Sequence, residues 1–132
     1  MSRNISSSES QPSKSMRSAL NKGLKVNSHT DAPVALPNLM QVMWATVNRT
    51  SRSGKVMGGD ERLTPIEALK TITLWGAYEH FEEKTKGSLE PGKLADMVIL
   101  SDNPLTIDPT KLNTIAVLET IKEGKTVYQR ER

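Results

Sequence analysis

Cysteine is absent from this chain of 132 residues, which excludes disulfides and thiolate metal ligands. With nothing arguing for an oxidising compartment, the cytoplasm is the default location. Aromatic side chains are scarce, with one Phe, two Trp and two Tyr, or 4% of residues. The net charge of +3 and the pI near 9.3 therefore lack the stacking residues that a nucleic-acid reader uses, and the positive charge is scattered. No nucleic-acid partner is expected. Long apolar runs are missing too: Met97–Leu100 is the longest strongly apolar stretch, against the ~20 residues that cross a bilayer, so no membrane partner is expected either. A hydrophobic content of 36% allows only a small core. Histidine occurs twice, at His29 and His80, too few for a metal centre built from imidazoles. The opening is Ser-rich and basic with one acid, Glu9, and lacks the apolar centre of a secretory signal. Residues 1–13 read as a disordered start rather than a transit peptide.

What is present begins with a short helix over 14–21, stopped by Gly23. A strand over 24–28 follows and runs into His29, Thr30 and Asp31 before Pro33 and Pro37. Helix, glycine, strand and polar loop form the grammar of an α/β unit, whose chemistry sits at the carboxyl end of the strand. If the strand persists, His29 and Asp31 leave the same face, being two residues apart. On its own, Asp31 reads either as a cap of the turn before Pro33 or as a functional carboxylate.

The next helix spans about 38–51. Leu36, Met40, Met43 and Val47 lie along one face, while Asn48, Arg49 and Arg52 mark a solvent side or a buried polar contact. Residues 53–61 form a glycine-bearing connector. A third helix, over 63–77, has the clearest start in the chain. Thr64 caps it, Pro65 fits the first turn and Glu67 completes a capping box, with Leu63 and Ala68 as staple and Ile66, Leu69 and Ile72 as apolar face. Gly76 interrupts this pattern, and 77–83 is expected to turn separately, with Tyr78 and Phe81 on one side. His80, among Glu79, Glu82 and Glu83, reads as part of a solvated acidic helix end rather than a metal cluster.

Periodicity changes after Gly87. Pro91 and Gly92 signal a turn, and 94–100 is apolar on both alternations except at Asp96, predicting a strand buried on both faces. A second strand over 115–121 enters a tight hairpin at Glu123 and Gly124. That turn would set Lys122 opposite Lys125, Ile121 opposite Thr126 and Thr120 opposite Val127. Residues 101–113 between the strands are expected to be a loop broken by Pro104 and Pro109. The fold class is thus α/β, or mixed α+β in isolation, with three or four helices before a small, mostly antiparallel sheet.

SHTDAPV, RLTPIEAL, AYEHFEE, GSLEPGKLADMVILSDNPLTIDP and TIKEGKTVY, in this order over about 13–128, resemble the C-terminal part of the amidohydrolase superfamily, specifically the amidohydrolase family 3 (YtcJ-like) branch. The resemblance implies a metal-dependent TIM-barrel hydrolase acting on C–N bonds other than peptide bonds, with a small-molecule amide or related compound as substrate. It divides the chain after residues 1–13 into the end of a barrel domain, 14–85, and C-terminal strands of a composite β-sandwich, 86–132. The 24–28 strand becomes the eighth barrel strand. Asp31 becomes a ligand of a divalent metal, zinc being expected, and the general base toward metal-bound water, later passing the proton to the leaving nitrogen. His29 is expected to line the substrate pocket.

The family's other metal ligands, a His-x-His and further histidines of earlier strands, have no counterpart here. A catalytic zinc normally takes three protein ligands, and a barrel needs about 250 residues. The chain by itself is therefore expected to be inactive and not to hold the metal. Two expectations follow: a portion of a larger C–N hydrolase, or a non-catalytic module that self-associates through unpaired strand edges at 94–100 and 115–121.

Overall fold

The computed structural model describes residues 15–131; the expected disordered segment over 1–13 lies outside them. Four helices precede a three-stranded sheet: α1 Met16–Asn21, α2 Leu39–Asn48, α3 Pro65–Thr71, α4 Leu74–Glu79, β1 Met97–Leu100, β2 Val117–Lys122 and β3 Lys125–Gln129. The mixed class and the order of helix before strand agree with the sequence pattern. None of these helices is long and apolar enough to cross a membrane.

The strand expected over 24–28 does not form. This stretch makes no ladder; Leu24 N bonds back to Ala19 O at 3.1 Å and Ser28 N donates to Thr71 O at 3.2 Å. An isolated strand has nowhere to place its N–H and C=O groups except water, and no described residue pairs with it.

Helix α2 begins where Asn38 accepts a bond from Gln41 N at 3.1 Å and ends at Arg49 in a left-handed conformation (φ 55°). Met40, Met43 and Val47 are buried as their spacing predicted, whereas Leu36 precedes the helix and stays 83% exposed. Asn48 proves to be a polar contact: its Nδ2 donates to Trp44 O at 3.0 Å and to Pro109 O at 2.9 Å. The connector after α2 folds back through a bridge between Thr50 and Val56, then makes a 3-10 turn, Gly59–Glu61, that buries Glu61.

The capping box of α3 is complete, with Thr64 and Glu67 bonded reciprocally. Contrary to expectation, the helix breaks at Ile72 and Thr73 and not at Gly76, which lies inside α4. The hydroxyls of Thr71 and Thr73 donate to Ala68 O (2.7 Å) and Leu69 O (2.8 Å) and so compete for the carbonyls of their own turn. Tyr78 and Phe81 also part ways. The Tyr78 ring lies under Lys25 Nζ, 3.6 Å from its centroid, a cation–π contact. Phe81, left-handed at φ 59°, is 90% exposed. Gly87 lies against α4 at φ +91°, where a Cβ would come within 2.7 Å of Ala77 Cβ and 3.1 Å of Leu74 Cα. Both conformation and contact require glycine there.

The expected loop over 101–113 contains a 3-10 helix, Pro109–Thr114, started by Asp108, whose side chain accepts from Thr110 N at 2.9 Å. Leu112 in that turn is fully buried, and Trp44 Nε1 donates to Thr110 O at 2.9 Å. The core thus joins α2 and α3 to a segment near the sheet through Met40, Met43, Val47, Ala68, Leu112 and Ile115.

The sheet has the order β1-β2-β3 and is antiparallel throughout. Lys122 faces Lys125 and Ile121 faces Thr126 as predicted, but a bulge between Thr120 and Ile121 sets Thr120 opposite Tyr128 instead of Val127. Two further expectations fail. The strand expected over 94–100 shrinks to Met97–Leu100, and Met97, Val98 and Ile99 are exposed rather than buried on both faces, because no described layer covers the sheet. β2 is central, so the edge expected over 115–121 is paired on both sides, whereas β1, within 94–100, is an edge as expected and β3 is the other.

Candidate active site

The site residues lie on the segment leaving α1. Helix α1 closes with Gly23 at φ +80°, and Leu24 N bonds back to Ala19 O at 3.1 Å, aiming the chain across α2. His29, itself exposed, lines an open cleft of roughly 510 Å³ with Val26, Ser28 and, from α2, Val42, Thr46 and Arg49. Asp31 is exposed and does not line that cleft. It takes a left-handed conformation (φ 51°), and its carbonyl accepts from Val34 N at 2.9 Å across a cis Ala32–Pro33 bond. The strand on which His29 and Asp31 would have shared a face does not form, so strand alternation does not relate the two side chains. Asp31 does begin a turn, and Asp is among the few residues that accept a left-handed backbone readily.

Among the described residues, no group of three or more His, Cys, Asp or Glu side chains could hold a metal ion. Glu79, His80 and Glu82 are exposed at the end of α4, and Asp31 offers a single carboxylate on an exposed turn. These residues do not by themselves fit a divalent ion of the zinc type, which takes three protein ligands and an open position.

Electrostatic perturbation concentrates just behind the segment. Two hydrogen bonds from the Arg17 guanidinium, with help from Thr64, pull the Glu67 carboxyl from 4.5 down to about 2. The Ser18 hydroxyl and backbone amide hold the Glu61 carboxyl below its ordinary value. Glu67 was legible from the sequence only as a helix cap. Its partner Arg17 lies 50 residues away, beyond any local spacing rule.

Residues 6–128 match the family model described as Amidohydrolase family. The chain is 30% identical over 115 residues to N-substituted formamide deformylase of Arthrobacter pascens, covering 87% of this chain and 21% of that protein. It is 37% identical over 87 residues to 5-methylthioadenosine/S-adenosylhomocysteine deaminase of Thermoanaerobacter pseudethanolicus, covering 64% and 20%. Among solved structures, E. coli guanine deaminase superposes with a TM-score of 0.64 at 23% identity, over 87% of this chain and 30% of that one, a likeness of fold. The chain thus spans about a fifth of the length of these curated relatives.

Proposed function

The chain belongs to the amidohydrolase family, and from that premise we propose that it forms the C-terminal portion of a metal-dependent hydrolase that cleaves a C–N bond other than a peptide bond in a small amide-type or cyclic substrate. Residues 14–85 end the TIM barrel and 86–132 supply strands of a composite sandwich, in a cytoplasmic enzyme. Asp31 is the catalytic carboxylate: it takes a proton from the attacking water and returns it to the leaving nitrogen. His29 borders the substrate. The divalent ion, zinc in this reading, belongs to the whole enzyme, and Asp31 contributes one ligand to a set that the described residues do not complete. The observation that carries the proposal is the family match over residues 6–128, a range that includes Asp31 and His29.

The purified chain tests incompleteness directly. Calorimetric titration with zinc and an assay for formamide hydrolysis are expected to show neither tight binding nor turnover. Stoichiometric zinc together with turnover abolished by Asp31→Asn would overturn that part of the reading.

A second reading, a self-associating module, is favoured by one observation. Edge strands β1 and β3 expose Met97, Val98, Ile99, Val127 and Tyr128, and open edges invite strand addition. Sedimentation equilibrium of the chain should then show a dimer or larger species, and a monomer at all concentrations removes this reading.

A further inference from the structure

Helix α1 has no fully buried residue, its apolar side chains being half-buried, so its polar attachments matter to its hold. Arg17 donates from Nη1 to Glu67 Oε1 at 2.8 Å, from Nη2 to Glu67 Oε2, and from Nε to Arg62 O at 3.2 Å. Ser18 donates its backbone N–H (3.0 Å) and its hydroxyl to the two carboxylate oxygens of Glu61, a residue only 7% exposed. Further along, Ser28 N donates to Thr71 O.

Glu67 and Thr71 stand in the first and last turns of the same helix, four residues apart, which places them about 6 Å from each other along its axis. The core fixes that helix through Ala68, which is fully buried. One short helix therefore grips the chain both before and after 22–27, the stretch that delivers His29 and Asp31. No strand ladder among the described residues shares the task. Between the two grips Lys25 lies on Tyr78, and Val26 and Asn27 line the cleft beside α2.

We infer that Glu67 is a positioning residue for the segment bearing Asp31: it acts through Arg17, with α3 as the template and the Glu61–Ser18 pair as a second hold. The functional meaning rests on the proposed role of Asp31, whereas the mechanical claim does not. The charged groups acting on the two carboxylates are Arg17 from α1, on both, and Arg49 from the end of α2, on Glu61. Because the Glu67 carboxyl is depressed from 4.5 to about 2, its contribution is complete above 4.5 and is lost as the pH falls toward 2.

Amide hydrogen exchange on the full chain, read by NMR, tests this. At neutral pH, Glu67→Gln keeps an acceptor for the helix cap but not the ion pair. It should speed exchange of the Leu24 and Ser28 amides about tenfold or more and leave the α2 amides within about twofold. Arg17→Met, which leaves the capping box intact, should do the same, and the double variant should be no worse than either single one. Between pH 4.5 and 2, wild-type protection of Ser28 relative to α2 should fall, and by more than in Glu67→Gln, where only the Glu61–Ser18 hold is left to titrate. Unchanged Ser28 exchange in Arg17→Met, or equal losses in Ser28 and α2, would overturn the inference. Should Glu67→Gln fail to fold, Arg17→Met decides alone. These readouts involve no catalysis, so failure of the Asp31 reading leaves them as expected, and failure of the hold appears here whatever the activity.

Discussion

Asp31→Asn is expected to lower kcat/KM by about 10²–10⁴, roughly 3–5 kcal/mol of transition-state stabilisation, in a chimera carrying residues 15–131 in place of the matching part of the Arthrobacter pascens deformylase. Asn has nearly the same shape as Asp but cannot take the proton from water. The turn itself tolerates the change: residue 31 is exposed with φ 51°, and Asn accepts that conformation as readily as Asp. A folded, inactive chimera therefore isolates chemistry from stability. Turnover equal to that of the unsubstituted chimera would leave Asp31 as a turn residue only.

Leu112→Ala should destabilise the chain by about 2–5 kcal/mol in urea denaturation. Leu112 is fully buried in the 3-10 turn Pro109–Thr114, against Met43 and Val47 of α2. Deleting its isobutyl group removes transfer free energy and leaves a cavity between α2 and the 3-10 turn, two segments tied also by hydrogen bonds from Trp44 Nε1 to Thr110 O and from Asn48 Nδ2 to Pro109 O. Small domains have only about 5–15 kcal/mol in total, and this core is limited, so the loss should be visible without a sensitive assay. Leu36→Ala is the control. That leucine is 83% exposed before α2, and its loss should shift stability by less than about 0.5 kcal/mol. Equal effects at the two positions would mean that the α2–Leu112 contact does not support the fold.

The pair Leu36 and Leu112 shows where local reading works and where it stops. Met40, Met43 and Val47 obey helical spacing and are buried, but Leu36 fits the same spacing and is not, since the helix starts only after Asn38. Leu112 follows Pro104 and Pro109 in what reads as a loop, and its burial depends on α2 lying across it. The α3 cap was legible because Thr64, Pro65 and Glu67 act within one turn. The break before α4 was not, because it depends on where two threonine hydroxyls turn once the chain is packed. At the candidate site, the motif singled out His29 and Asp31, but the strand expected to carry them does not form, and Arg17 and Ser18 meet Glu67 and Glu61 across 50 and 43 residues of chain.

By itself the sequence determined the class of fold, the capping box, the hairpin turn and the family, because each depends on residues close in the chain or on an ordered set of short motifs. Only the tertiary structure decided that 24–28 lacks a ladder, that β1 is an exposed edge and that α1 is tied to α3 by the Arg17–Glu67 ion pair. Those outcomes turn on which groups find partners in space, and hydrogen-bond satisfaction and burial are properties of the assembled surfaces rather than of any single segment.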